Sequence, residues 1–242
     1  SLRKIIEHME GDEKTAAASG LIYYGDGKTI YSAGGWIDEV LVLGSICNGL
    51  TVSDCPAISK EQYVTYADGA YMVVRAEAVK KSMPNGKPFI DETFLYLDDN
   101  LLGLILWNRG YKVKYVPANA GMHFANMTTK GSLISRYVIR SFVALSIIVR
   151  TRYSNTIKRI LMLRRGVGNR ILCLFKGDFC LRYDGYIDGI KLGNYLKIVI
   201  GILDLYKAPH VKVDFYDAIK EALMMRGHVK VTHDMLNIKF KS

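Results

Sequence analysis

Between Asn100 and Gly177 the chain carries 14 Lys/Arg and no Asp or Glu. A block of that length and sign calls for an anionic neighbour, such as a diphosphate, an anionic lipid surface or nucleic acid, or else forms a solvated basic face. The rest of the chain is balanced differently. Residues 1–99 hold 9 basic against 15 acidic side chains, and residues 178–242 hold 10 against 8. Half of the 242 residues are hydrophobic, enough for a sizeable core and too many for global disorder. The longest charge-free apolar run in the basic block, Ser141–Val149, falls short of the roughly 20 residues that a membrane span needs. The four cysteines form no CxxC pair and no zinc spacing with the histidines, which predicts reduced, structural thiols. No signal peptide is read at the start. The expected location is the cytoplasm, peripheral on the inner face of the membrane.

Periodicity divides the chain near residue 130. Before it, apolar spacing predicts a helix over Leu2–Met9 and a buried strand over Thr15–Tyr24. A turn at Gly25-Asp26-Gly27 leads to a returning strand over Thr29–Ala33. Residues 36–60 show little periodicity, and an excursion of that length inside a compact unit is often functional. Strand character resumes over Gln62–Arg75, interrupted at Asp68-Gly69-Ala70. A short helix over Ala76–Lys81 and a turn-rich stretch over 83–88 follow. Asp98–Arg109 reads as a helix closed by Gly110. Lys112–Val116 reads as a strand stopped by Pro117, with a second extended piece over Ala120–Phe124. Beyond Lys130, basic amphipathic helices are expected over Leu133–Tyr153 and Ile157–Arg165, with further helices over Tyr195–Tyr206 and Phe215–Arg226. The fold class is therefore α/β: a mixed sheet with flanking helices (1–130), followed by a mainly helical, basic region (131–242).

The stretch most able to carry chemistry is Phe89–His123, with Asp98-Asp99 opening a helix after an aromatic, apolar run. One account makes Asp98 the N-cap and Asp99 a first-turn carboxylate favoured by the helix dipole. The other makes the pair a general base and its orienting partner. The two are compatible, because a cap fixes the geometry that a base needs. His123, alone on a short extended segment, is either a core histidine or a ligand.

The order of these pieces resembles the acceptor-side half of family-2 nucleotide-sugar glycosyltransferases of the GT-A type. The likeness rests on Phe94-Leu95-Tyr96-Leu97-Asp98-Asp99, Gly110-Tyr111-Lys112-Val113, Tyr115-Val116-Pro117 and His123. Upstream it includes Tyr24-Gly25-Asp26-Gly27, Ser32-Ala33-Gly34-Gly35 and Asp68-Gly69-Ala70-Tyr71-Met72-Val73-Val74-Arg75, so that it covers roughly residues 1–130. It implies that Asp99 is the base that deprotonates an acceptor hydroxyl and that Asp98 supports it. Asp68, Gly69, Ala70 and Trp107 would bind substrate. His123 would complete the coordination of a divalent metal, Mn or Mg, on the nucleotide diphosphate, together with the family's Asp-x-Asp half. One-step displacement would invert the anomeric centre.

Two departures accompany the likeness. The family's second acidic residue and the arginine after it are replaced here by Leu101 and Ile105, an aliphatic i, i+4 pair. The Asp-x-Asp motif and the nucleotide-binding half are not found, and the chain opens on what resembles the helix following that motif. The resemblance thus implies hexosyl transfer from a nucleotide-sugar donor to a glycan or lipid-linked acceptor. The competing expectation is a non-catalytic carbohydrate- or membrane-binding remnant. Arg136, Arg140, Arg150, Arg152, Lys158, Arg159, Arg164 and Arg165, set beside apolar faces, point to an anionic membrane surface. Packing of those faces on the preceding domain, or on a second copy as a homo-oligomer, is the alternative. Sparse aromatics and the lack of a recognised motif speak against nucleic acid.

Overall fold

A computed structural model describes residues 1–93, 95–124, 132–224 and 231–237. Phe94, the boundary near residue 130 and the end expected for the last helix at Arg226 lie outside the described residues. In chain order the elements are α1 (Leu2–Glu10), β1 (Thr15–Tyr24), β2 (Ile30–Ser32), β3 (Gly35–Ile37), β4 (Leu43–Ser45), β5 (Gln62–Tyr63) and β6 (Met72–Val74). Next come α2 (Ala76–Ser82), α3 (Asp98–Asn108), β7 (Lys112–His123), α4 (Ser132–Ile148), β8 (Val149–Arg150), α5 (Ser154–Leu161), α6 (Asn169–Cys173) and α7 (Gly177–Ile200). The chain closes with β9 (Leu203–Asp204), β10 (His210–Val211), α8 (Phe215–Met224) and β11 (Leu236–Asn237). The fold is mixed α/β, a curled mixed sheet with flanking helices.

The sheet is built on β1 and β7, which run parallel, with β2 and β6 antiparallel on the far edge of β1 and β5 antiparallel beside β7. β7 is one continuous strand, not two pieces divided at Pro117. The register slips between Ser19↔Tyr115 and Leu21↔Asn119, so the missing proline N–H falls within an irregularity of the ladder. Gly20 permits it: a Cβ there would lie 2.5 Å from the Ala118 carbonyl oxygen.

The 36–60 excursion folds into the β3–β4 hairpin and two short 3-10 turns. In the second half, α4 packs along α7, whose Gly185, Gly189 and Gly193 bring the two backbones together. A Cβ at Gly185 would meet the Arg136 carbonyl oxygen at 2.5 Å, and one at Gly189 the Arg140 carbonyl oxygen at 2.7 Å. The helix expected over Tyr195–Tyr206 is instead the last turn and a half of α7, which Gly201 ends at φ +84°. One apolar cluster runs from Ala16 through Leu106 and Phe142 to Val231 and Leu236, so both halves share a core.

Much of the acid-free block is neutralised from outside its own boundaries. Arg136 pairs with Asp188 at 2.6 Å, Arg150 with Asp204 at 2.7 Å and Arg152 with Glu39 at 2.7 Å. Lys112 and Lys114 reach Asp12 at 3.4 and 3.6 Å. The thiols expected to be reduced are paired, Cys47 with Cys55 and Cys173 with Cys180. The chain path explains it by bringing Cα atoms to 6.3 and 4.6 Å, within bridging reach. Among the described residues, no helix is long and apolar enough to cross a membrane.

Candidate active site

The parallel strands β1 and β7 end together, pairing Tyr24 with His123. A cleft of about 490 Å³ opens beyond those carboxyl ends, the usual place for a ligand in such sheets. Asp68, Gly69, Ala70, Asp98, Asp99 and His123 all line it, although they come from three separate stretches of chain. The β3–β4 hairpin contributes Leu43, Gly44 and Ser45, and Tyr31, Tyr66, Phe89 and Tyr96 supply aromatic walls. Among the described residues the lining contains carboxylates, an imidazole and hydroxyls but no Lys or Arg.

Trp107 is not there. It is 4% exposed in the core, its indole N–H donating to the Val64 carbonyl at 3.0 Å and its ring edge-on to Tyr63. α3 is buried on every side from Asn100 to Trp107, so packing governs the choice of aromatic. Leu101 and Ile105 are equally buried, each 1% exposed, so the aliphatic replacements serve the core.

Asp98 is not the N-cap. The buried Leu97 holds that position without a side-chain bond, and Asp98 and Asp99 form the first turn of α3. The Asp98 carboxylate turns sideways to accept the Thr93 hydroxyl at 2.6 Å. Asp99 Oδ2 accepts the Gly69 N–H at 3.1 Å and Oδ1 the Asn100 N–H at 2.8 Å. Asp68, 6% exposed, accepts the Ser45 hydroxyl and the Ala70 N–H.

These surroundings set the protonation of the carboxyls. Burial, helped by the nearby Asp68 and Asp98 charges, pushes Asp99 up to about 6, against the two N–H bonds that favour the carboxylate. Burial also raises Asp98, opposed by the Thr93 hydroxyl, the Leu95 backbone and the Arg140 charge. Tyr31 and Tyr66 are held above the ordinary phenol value by burial, with Asp68 and Asp99 adding to it.

The segment feeding Asp98-Asp99 is strained. Leu95 and Tyr96 adopt φ of +65° and +62°, a region that costs a non-glycine residue free energy and is concentrated at functional sites. Arg140 of α4 holds this turn from outside, donating to the carbonyls of Thr93 at 3.1 Å and Leu95 at 3.2 Å. Sequence reading places Arg140 on a lipid-facing surface; the structure gives it this bracing position. Tyr31, Ser45 and Thr93 carried no site signal in the sequence, because only the fold brings them to the site, and Tyr96 appeared there only as part of the run before Asp98.

No three of Asp68, Asp98, Asp99 and His123 bring ligand atoms within 4.8 Å of one another. His123 packs against the Tyr31 ring, with centroids 4.5 Å apart. Of Asp68, Asp98, Asp99 and His123, the resemblance makes only His123 a metal ligand, and it assigns the remaining ligands to the Asp-x-Asp motif. Cys47, Cys55 and His233 do cluster at metal spacing, but the two sulfurs are bonded to each other.

No protein-family model matches the chain, and no curated protein matches it.

Proposed function

We propose that the cleft binds a sugar acceptor and that Asp99 is the general base of an inverting hexosyl transfer from a nucleotide sugar to a glycan or lipid-linked acceptor. The observation that carries this reading is the setting of Asp99. It is a carboxylate fixed by two backbone N–H groups in a cleft whose described lining holds no Lys or Arg, with its affinity for a proton raised to about 6. A base poised near neutrality is what proton abstraction from a hydroxyl needs. Carboxylates and tyrosines accept and share hydrogen bonds with sugar hydroxyls. The same acidic lining would repel a bare diphosphate, which suits an acceptor side.

In this mechanism Asp99 takes the proton of the acceptor hydroxyl as its oxygen bonds to the anomeric carbon. The bond to the departing nucleoside diphosphate breaks on the opposite face, and its electrons leave with the phosphate oxygen. Asp98, held by Thr93, keeps the first turn of α3 in place. The divalent ion implied by the resemblance would need ligands beyond these residues, so no step is assigned to it.

The test is transfer by the full native polypeptide, screened with nucleotide sugars and Mg2+ or Mn2+. Asp99→Asn should lower kcat/KM by about 10²- to 10⁴-fold while leaving the circular dichroism and acceptor binding intact. A variant that keeps its rate removes Asp99 from the role. The buried Leu101 and Ile105, where the resemblance expects an acid and an arginine, favour a second reading, a carbohydrate-binding module without turnover. Calorimetric glycan binding that is lost in Asp68→Ala, with no nucleoside diphosphate released from any donor, would select it.

A further inference from the structure

We propose that the outer face of the helical segment from Ser154 to Lys176 docks on an anionic lipid surface. The segment joins α5, a π-helical turn over Met162–Gly168 and α6. Its inner face is set by Ile157, Leu161, Gly166 and Asn169, all buried. The five-residue step from Leu161 to Gly166 is the π turn, which keeps one face directed inward where 3.6-residue spacing would drift away. Gly166 allows the close approach, since a Cβ there would lie 2.9 Å from the Tyr186 ring.

The outer face has no partner among the described residues. Leu163 is 61% exposed, Ile171 54%, Leu174 80% and Phe175 78%, with Met162, Val167 and Leu172 exposed beside them. Lys158, Arg159, Arg164, Arg170 and Lys176 alternate with these side chains and are exposed too. None of the salt bridges that neutralise Arg136, Arg150 and Arg152 reaches these five. The ion pairs thus divide the basic block into cations used inside the fold and cations left on one apolar helix face. Burial, with the Arg164 and Arg182 charges adding to it, holds Arg165 down to about 10.

The composition of the face selects its occupant. A second copy would bring the same uncompensated cations into contact and be repelled. Nucleic acid would satisfy the cations but leave Leu163, Ile171 and Leu174 against a charged backbone. A leaflet with anionic headgroups satisfies both, taking the apolar side chains below the headgroup level and the cations at it. This inference is independent of the chemistry assigned to the acidic cleft.

The experiment is flotation of the full chain with phosphatidylcholine vesicles, with and without phosphatidylglycerol, over rising salt. Binding should require the anionic lipid and weaken with salt as the charges are screened. Leu174→Ser with Phe175→Ser should reduce it at least about tenfold, and Arg164→Gln, Arg170→Gln and Lys176→Gln about fivefold each. Circular dichroism should match the unmodified chain, as these positions are exposed. Leu174→Trp should show an emission blue shift on mixed vesicles only. Equal binding to neutral vesicles, or binding untouched by both sets of variants, would overturn the proposal. So would a salt-resistant dimer abolished by Leu174→Ser with Phe175→Ser, or preferential capture of duplex RNA.

Discussion

Asp99 concentrates the conflict between chemistry and stability. Its folded-state affinity for a proton is raised to about 6 from an ordinary 3.8, so the native state binds that proton more tightly than the unfolded chain does. The stabilisation from protonating Asp99 is fully present below about pH 3.8 and is lost as pH rises through about 6. A base must be ionised, so the rate should rise through the same interval. The measurable outcome is a single acidic limb near pH 6 in kcat/KM, paired with a wild-type stability that declines relative to Asp99→Asn between pH 4 and 7. A stability difference that stays flat across that window would show that burial does not set the titration. The acidic pair, Asp68–Ala70 and His123, which the resemblance singles out, line one cleft. Trp107 was misplaced because an aromatic on a helix signals core packing as readily as a binding wall. The left-handed Leu95 and Tyr96 were invisible, since neither is a residue that favours that conformation.

At the level of elements, the regular pieces are legible in the periodicity and the irregular ones are not. α1, β1, α2 and α3 matched their periodicity to within a residue or two. β7 was split because Pro117 reads as a stop, whereas the slipped register and Gly20 accommodate it. Most of α7 was missed because Gly185, Gly189 and Gly193 look like helix breakers; their spacing of four, which puts all three on one face, was the available signal. Those glycines let α7 press on α4, and α4 in turn carries Arg140 to the turn before Asp98. Gly189→Ala would force a methyl group against the Arg140 carbonyl and the Val143 side chain. It should cost about 1–3 kcal/mol by overpacking, read as a lower urea midpoint. Gly177→Ala, with nothing within 4 Å, is the control and should change stability by less than about 0.5 kcal/mol. Equal effects at the two positions would refute the close-packing role.

Across the whole molecule, a change of periodicity near residue 130 suggested two parts, while the described contacts tie the halves together at several points. Glu39, 3% exposed, accepts from Arg152, the Tyr206 hydroxyl at 3.1 Å and the Val213 N–H at 3.0 Å. The Cys47 N–H donates to the Val231 carbonyl, and the Thr65 hydroxyl to that of Pro209. Sequence patterning does not reveal these ties, because each joins residues more than 100 positions apart. A carboxylate this buried depends on its donors, and losing the charged one should cost about 1.5–3 kcal/mol. Arg152→Gln is the suitable variant, since its guanidinium is half exposed and the change leaves no cavity. Both tryptophans, Trp36 and Trp107, lie in the first half, whereas the longest helices, α4 and α7, lie in the second. Fluorescence and far-ultraviolet circular dichroism therefore report on different halves. With a shared core, the two probes should unfold at one urea midpoint, and Arg152→Gln should lower both by the same amount. If the variant moved only one transition, or if the unmodified chain already showed two, the halves would be separate folding units and Glu39 a local contact.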